Sequence, residues 1–437
     1  MAKGCDASVK RWRSKQYIGI FLAILFILFN GLPEVQNLSN TPGKIIIIEG
    51  QSYTLNIQLP LPVQIKGNNI DVLKLNGNSL KDQRTYNLKN PIMMQPLNQG
   101  EVRLQFSFLG IIPIKSMTVT VSPSRLLVPG GQSIGVTLYT KGVLVVGTSE
   151  VLDESGNSRF PAEEAGIIAG DIMNKIDGEM IKNAEHVTQM INQQNSNVKD
   201  VEIIRKAELL HVKITPVKER ESGKYRLGAW VRDSTAGVGT LTFYDPDSRK
   251  FGALGHAIMD TDTGSLLTVK NGEIMDSEIV DIRQGEKGRP GELIGIFLDK
   301  QNKIAQVEKN TEFGIFGTCY KPIINPKYMK PIPIGTQSNI HEGAASILTT
   351  LDQSGVKEYK INIIRVNRQS VMNSKSFVLK VTDPELLRRT GGIVQGMSGS
   401  PIIQDGKLVG AVTHVFINDP TRGYGLFIEW MINQIIN

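Results

Sequence analysis

The sequence predicts a mainly β, multi-domain protein that ends in a pair of antiparallel β-barrels. Its 437 residues are enough for two or three domains with cores of their own. The composition, 40% hydrophobic and 21% charged, is ordinary for globular proteins. From residue 224 onward, short apolar runs alternate with glycine turns and show little helical periodicity, which favours strands. We expect an N-terminal membrane anchor, a small β domain and an α+β domain before this point.

Residues 1–33 have the pattern of a membrane anchor. A basic segment, 1–16, precedes an apolar run at 17–32 that is somewhat short of the ~20 residues that span a bilayer comfortably. A signal peptide is the alternative, but no small-residue cleavage site follows, so we expect an uncleaved anchor over 17–33. Positive charge on the cytoplasmic side then places the body outside the cytoplasm. Part of the net charge of +7 belongs to the basic segment, and no nucleic-acid motif occurs elsewhere, so we expect no nucleic-acid partner.

Two segments of different character follow the anchor. Residues 34–43 are polar and rich in turn formers, which predicts a linker open to proteolysis. Residues 44–122 alternate apolar and polar side chains, as in Tyr53, Leu55 and Ile57, and predict a small β domain of unassigned chemistry.

Residues 123–218 resemble a PDZ domain, which is an α+β fold. The run PAEEAGIIAGDI at 161–172 predicts a short helix capped by Gly166 and then a strand, Ile172–Ile176, that ends at Asp177-Gly178. A second helix is predicted over Ala184–Gln193. The resemblance implies a peptide-binding groove beside that helix and a carboxylate-binding loop, which it places at Ser133, Ile134, Gly135 and Val136.

Residues 224–437 follow a charged linker and carry the candidate chemistry. Gly396 and Gly399 flank Ser398, and the hairpin signal Asp405-Gly406 follows. Such a loop exposes a serine hydroxyl and turns backbone N–H groups toward a bound carbonyl, so we predict a nucleophile, with Gly396 and Ser398 as oxyanion donors. Cys5 and Cys319 are expected on opposite sides of the membrane, so we predict no disulfide and no cysteine-based metal site.

A serine nucleophile needs a base and an acidic partner. His256, which small residues surround, is the favoured base, followed by His414 and then His341. Thr413 and His414 lie in the strand expected to pair with substrate. The residues leave the acid open: Asp281 and Asp299 lie between the histidine and the serine, whereas Asp383 also has the pattern of a helix N-cap before Pro384.

Three longer motifs carry a resemblance to a known family. GMSGSP at 396–401 is similar to the GDSGGP of trypsin-like peptidases, with Met397 in place of the aspartate. Together with FGALGHAIMDTDTG at 251–264, TDPELLRRTGG at 382–392 and GAVTHVFINDP at 410–420, it resembles the stage IV sporulation protein B family of endospore-forming Firmicutes. The resemblance implies a chymotrypsin-like double β-barrel and a catalytic triad of His256, Asp383 and Ser398, without metal or organic cofactor.

The resemblance also implies a biological role. The protein would be anchored in a membrane with its body in the space between the forespore and mother-cell membranes, and it would release that body by cutting itself. It would then cleave a membrane-bound regulator of an intramembrane protease and so activate sigma-factor processing. The alternative is an anchored, non-catalytic PDZ scaffold with a degenerate protease fold.

The tripeptide Asp262-Thr263-Gly264 matches aspartic proteases but occurs once, so we interpret it as a turn.

Overall fold

The structure is a computed structural model, and it describes residues 43–49, 52–55, 57, 62–123, 125–193, 198–206, 208–297, 302–369 and 372–436. It divides into two compact units, residues 1–125 with 368–372 and residues 126–367 with 373–437. Among the described residues, no helix combines the length and the apolar character needed to cross a membrane. The predicted basic segment 1–16, the anchor 17–33 and all of the linker 34–43 except Gly43 lie outside the described residues.

The first unit consists of two antiparallel-rich sheets that share one core. Its strands are β1 (Lys44–Ile48), β2 (Tyr53–Leu55), β3 (Pro62–Gly67), β4 (Leu73–Leu75), β5 (Asn78–Ser79), β6 (Thr85–Asn87), β7 (Ile92–Pro96), β8 (Gly100–Phe108) and β9 (Ile112–Ser122). The strand orders are β1-β9-β8-β3-β6 and β2-β7-β4-β5. In β8, Val102, Leu104 and Phe106 point into the core while the residues between them are exposed, which is the period-two pattern of a half-buried strand.

Two strands open the second unit, β10 (Leu126–Pro129) and the 16-residue β11 (Ser133–Thr148). Along one edge, β11 pairs with a barrel strand from Ser133 to Thr148. Along the other edge, it pairs with the barrel up to Thr140 and, from Val143, with an inserted α+β module. The chain changes partner near Gly142, which has φ 77° and whose position has no room for a Cβ beside the Met173 carbonyl.

The inserted module follows β11 and has its own hydrophobic core. Its elements are β12 (Val151–Leu152), β13 (Ser158–Arg159), helix α1 (Pro161–Glu164), β14 (Ile172–Ile176), β15 (Glu179–Met180), helix α2 (Ala184–Gln193), β16 (Lys199–Arg205), β17 (Glu208–Ile214), β18 (Val217–Lys218) and β19 (Tyr225–Arg226). The predicted helices, the strand Ile172–Ile176 and the turn at Asp177-Gly178 are all present, because their signals are local ones.

The first barrel is closed by six strands. After the module come β20 (Ala229–Tyr244), β21 (Lys250–Ala253), β22 (Val269–Arg283), β23 (Glu292–Phe297), β24 (Lys303–Thr311), β25 (Gly314–Cys319) and β26 (Ile332–Pro333). The order β11-β22-β24-β25-β21-β20 returns to β11, because β11 and β20 also pair from Ser133↔Thr240 to Tyr139↔Ser234.

The second barrel is closed by six later strands in the order β27-β28-β29-β32-β31-β30. These are β27 (Gly343–Thr350), β28 (Val356–Val366), β29 (Phe377–Val381), β30 (Pro401–Gln404), β31 (Lys407–Phe416) and β32 (Asp419–Phe427). Helix α3 (Pro384–Thr390) lies between β29 and β30, and helix α4 (Ile428–Ile436) follows β32. The predicted mainly β architecture with two barrels is therefore present.

The structure corrects the predicted carboxylate-binding loop. Ser133, Ile134, Gly135 and Val136 form the start of β11, where β20 pairs with one edge and β22 with the other. A strand with both edges paired offers no free N–H groups to a peptide carboxylate. Gly135 has a packing reason instead, since a Cβ there would lie 2.6 Å from the ring of Phe297. The first barrel thus takes a strand from upstream of residue 224.

Candidate active site

Ser398 lies in the loop between α3 and β30, where two glycines set the backbone. Gly396 and Gly399 have φ 94° and 95°, values that favour glycine. The N–H of Met397 donates to the Val394 carbonyl, and the N–H of Gly399 donates to the Val412 carbonyl. Within the described chain, the N–H groups of Gly396 and Ser398 have no such acceptor. The two donors that the sequence predicts for an oxyanion are therefore available.

Strand β20 of the first barrel holds this loop. The Thr240 N–H donates to the Ser398 carbonyl at 3.1 Å, and the Thr240 hydroxyl donates to the Gly396 carbonyl at 2.7 Å. The Thr242 hydroxyl donates to the Gly399 carbonyl at 2.8 Å. Because Thr240 and Thr242 are themselves buried, these bonds fix the loop against the wall of the other barrel.

His256 follows a tight turn at the end of β21. Leu254 and Gly255 have φ 71° and 70°, and a left-handed leucine is uncommon enough to mark strain at a functional site. A Cβ at Gly399 would overlap the backbone N of Leu254, and a Cβ at Gly255 would lie 3.1 Å from the Thr413 methyl. The turn of His256 therefore packs directly against both the Ser398 loop and β31.

The contacts of the His256 ring assign its tautomer. Its Nδ1 lies 2.8 Å from the Ala257 carbonyl, which can only accept, so Nδ1 carries the proton and Nε2 is the free base. Burial holds the pKa of His256 below its usual value, although the Ala257 carbonyl partly opposes this effect. A neutral ring with a free Nε2 is the state that a general base requires.

His414 stands beside His256, with ring centroids 5.3 Å apart and planes tilted by 42°. Partial desolvation, the charge of His256 and that of Lys375 together lower the pKa of His414. Both histidines, Ser398 and Thr413 line one cavity of about 790 Å³, which Ile393 and Val238 also border. The cavity therefore draws its walls from both barrels.

Comparison with known families agrees with this geometry. Residues 223–432 match the family described as SpoIVB peptidase S55. These residues therefore form a domain of the SpoIVB peptidase S55 family, the S55 domain. A comparison with curated proteins finds no match. Family membership and the two closed barrels identify a serine peptidase, and they confirm the resemblance that the sequence motifs carried.

The S55 domain does not bring Asp383 to His256. Asp383 is the N-cap of α3, as its sequence predicts, and its Oδ1 accepts from the N–H groups of Glu385 and Leu386 at 2.9 and 3.1 Å. Its Oδ2 accepts from the Lys360 N–H at 3.2 Å. Lys360 belongs to β28, which lies three strands around the barrel from the β31 of His414, and Asp383 does not line the cavity. Asp383 therefore caps a helix and does not make the hydrogen bond to His256 that a triad requires, and its catalytic role rests on the family resemblance alone.

The other candidates that the structure describes lie outside the S55 cavity. His341 Nε2 lies 2.8 Å from Asp405 Oδ2 on the surface. Asp281 is an exposed residue of β22, and Asp299 lies outside the described residues. Asp262 belongs to a turn, which agrees with the interpretation of that tripeptide. Its Oδ2 lies 2.7 Å from Nη2 of Arg232. Burial raises the pKa of Cys319 to about 12, so this free thiol is unreactive.

Sequence reasoning missed three contributions to the S55 site. The Ala257 carbonyl occupies the position on Nδ1 that the aspartate was expected to take. Thr240 and Thr242 fix the nucleophile loop from a strand more than 150 residues away. No local signal indicates the two threonines, because their roles depend on which strands become neighbours in the barrels.

Proposed function

We propose that the chain is a sporulation serine endopeptidase that cleaves itself and then a membrane-bound regulator of an intramembrane protease. This cleavage would activate sigma-factor processing across the forespore membranes. One observation carries the peptidase part: the loop of Ser398 packs directly on the turn of His256, and both side chains line one cavity. Membership of the SpoIVB peptidase S55 family supports the link to sporulation.

In the proposed reaction, Oγ of Ser398 attacks the scissile carbonyl carbon while Nε2 of His256 takes the hydroxyl proton. The N–H groups of Gly396 and Ser398 donate to the oxyanion, and loss of one such donor typically costs ~10²–10³ in rate. His256 then protonates the amine as the C–N bond breaks, and water hydrolyses the acyl-enzyme. The Ala257 carbonyl keeps the ring oriented while Nε2 carries its extra proton.

Wild-type, Ser398→Ala and Ser400→Ala proteins test this reaction side by side. Ser400 is a matched control because it belongs to the same loop but is fully buried. We expect a serine-directed fluorophosphonate to label the wild type and Ser400→Ala, and both to yield a shortened product over time. Ser398→Ala should do neither. A shortened product from Ser398→Ala would overturn the assignment, and an inert wild type would favour the non-catalytic scaffold.

The inserted module supports a peptide-docking role at a different place from the one predicted. From Ala229 to Arg232, one edge of β20 pairs with β11, and no strand among the described residues pairs with the other. Helix α2 lies near this stretch, since the Ala184 N–H donates to Asp233 Oδ2 at 2.9 Å. Trp230 is exposed there. A free edge beside a helix suits the addition of a peptide strand, as the PDZ resemblance implies.

Strand β20 also links this edge to the S55 cavity. Residues 235–238, a few positions further along β20, line the cavity. A peptide extended along β20 would therefore run from the module toward Ser398. We expect Trp230→Ala to raise KM for a protein substrate and to leave hydrolysis of a small ester unchanged. Equal effects on both substrates would remove the docking role.

The proposed location follows from the N-terminal sequence. A basic segment before an apolar run would place residues after 33 outside the cytoplasm, and the family resemblance implies that this side is the space between the two membranes. Self-cleavage in the linker 34–43 or in loops up to about residue 100 would release the body. Blocking export by removing residues 1–33 should abolish processing of the membrane-bound target in sporulating cells, whereas a purified body should still label with fluorophosphonate.

A further inference from the structure

The first unit carries an apolar hairpin tip where hairpins normally carry polar turn residues. Strands β8 and β9 are joined through Leu109-Gly110-Ile111, and Leu109, Ile111 and Ile112 are 64%, 83% and 59% exposed. Leu109 and Gly110 have φ 50° and 75°, so the tight turn itself explains the glycine but not its apolar neighbours. Three large aliphatic side chains together in water at one tip indicate a surface that has a partner.

The direction of β1 shows at which end of the β8–β9 hairpin the chain enters the first unit. β1 pairs parallel to β9, from Lys44↔Thr118 to Ile48↔Ser122, and Gly43 continues the ladder by accepting from the Thr118 N–H at 2.8 Å. Followed toward its N-terminus, the chain therefore runs toward the Ile112 end of β9. Six residues of strand separate Thr118 from Ile112, which is about 20 Å. The chain thus enters this unit, at Gly43, on the side of the exposed tip.

We propose that the tip Leu109–Ile112 inserts into the lipid bilayer that the N-terminal apolar run occupies. The ten residues 34–43 can extend over at most about 33–36 Å, so the tip lies within reach of that bilayer. A hairpin suits shallow insertion, because its strands satisfy each other's backbone groups, and Ile111 N–H donates to the Phe108 carbonyl within the turn. The anchor and the tip would then be two separate contacts that restrict the orientation of the first unit on the membrane.

The proposal is tested with the full chain in phosphatidylcholine vesicles that contain spin-labelled lipid. The protein carries Ser398→Ala, so that the body stays attached, and Cys5→Ser, so that a single introduced cysteine takes an environment-sensitive fluorophore. Cys319 does not compete, because it is buried and its pKa is raised to about 12. One protein carries Ile111→Cys. The matched control carries Glu101→Cys, an exposed position at the other end of the same hairpin, about 23 Å from Phe108.

We expect the label at 111 to shift to shorter emission wavelength and to be quenched by the spin-labelled lipid, while the label at 101 stays in water. A third protein is labelled at Leu109→Cys and compared with the same protein carrying Ile111→Ser and Ile112→Ser. The two serines should reduce quenching of the label at least about threefold, because most of the apolar surface that drives insertion is gone. The melting temperature should not change, since both isoleucines are exposed.

Two results would overturn the proposal. One is a chain that floats with the vesicles while its label at 111 behaves like the label at 101. The other is a chain that does not associate with vesicles at all. Both outcomes leave the proposed peptidase reaction untouched, because every protein in the experiment lacks the Ser398 hydroxyl.

Discussion

The hydroxyl of Ser398 donates a 2.8 Å hydrogen bond to the backbone carbonyl of Thr413, the residue before His414. In this state, the proton that His256 would have to remove is held by the strand predicted to pair with substrate. The O–H must therefore turn away from this carbonyl, at least by rotation about the Cβ–Oγ bond, before His256 can take its proton. A substrate N–H that donates to the same carbonyl would compete for it and release the hydroxyl. The resting arrangement thus couples activation of the nucleophile to occupation of β31.

This relationship predicts that an uncleavable peptide that pairs with β31 speeds up fluorophosphonate labelling of Ser398. The effect should appear at low peptide concentration, before the peptide fills the cavity and blocks the label. Freeing a hydroxyl from one neutral hydrogen bond is worth about 0.5–1.5 kcal/mol, which corresponds to about a 2- to 12-fold increase in rate. The measurement is the rate of fluorophosphonate labelling with and without peptide. A peptide that only slows labelling at every concentration would show that Thr413 does not restrain the serine.

The buried environment of His256 predicts the acidic limit of activity. His256 must be neutral to accept a proton, and burial lowers its pKa below the usual 6.5, so the neutral form persists at lower pH. We expect the acidic limb of the kcat/KM profile to lie below pH 6.5. His341→Gln is the control, because the Glu342 carbonyl and Asp405 raise the pKa of His341 outside the cavity. A limb at or above pH 6.5, or one that moves in His341→Gln, contradicts this assignment.

The packing of Gly399 predicts that one added methyl group at this position pushes the Ser398 loop away from the turn that carries His256. A Cβ at Gly399 would overlap the Thr240 carbonyl oxygen and the Leu254 N, and the φ of 95° disfavours alanine as well. We expect Gly399→Ala to destabilise the fold by more than about 2 kcal/mol and to abolish labelling of Ser398. Thermal unfolding and fluorophosphonate labelling measure the two effects.

Gly406→Ala is the matched control for that experiment. Gly406 also has a positive φ, 71°, but no atom lies within 4 Å of the position of its Cβ. Its substitution should cost only the backbone penalty of about 1–2 kcal/mol and leave labelling intact. If both variants lose labelling equally, close packing of the loop on Leu254 is not what positions Ser398.

Features with local signals could be predicted from the sequence, whereas features set by strand pairing could not. Helix α3 agrees with its prediction because its N-cap, its proline and the terminating Gly391, which has φ 73°, are adjacent in sequence. The prediction of a loop at Ser133–Val136 was wrong, because the glycine-rich sequence before it gives no sign of the strand residues 237–240 and 274–276 that pair with it. Similarly, only the closure of the second barrel shows that the carboxylate of Asp383 engages β28.

The two roles considered for Asp383 predict different results for Asn and Ala. As an N-cap, Asp383 accepts through Oδ1 from the N–H groups of Glu385 and Leu386, a role that asparagine fills about as well as aspartate and whose loss in alanine costs about 0.5–2 kcal/mol. Its Oδ2 also accepts from the Lys360 N–H, a bond that the amide group of asparagine cannot make while its oxygen caps the helix. Because the Ala257 carbonyl already holds Nδ1 of His256, we expect Asp383→Asn to keep turnover within a few-fold of the wild type. Its stability should fall only by the lost bond to Lys360, about 0.5–1.5 kcal/mol. Asp383→Ala should lower the melting temperature. Urea unfolding and kcat/KM for a peptide substrate, measured on the same samples, separate the roles. A drop in kcat of about 10⁴-fold in Asp383→Asn at unchanged stability would instead place the carboxylate in the triad that the family resemblance implies, and would require a rearrangement of α3 on substrate binding.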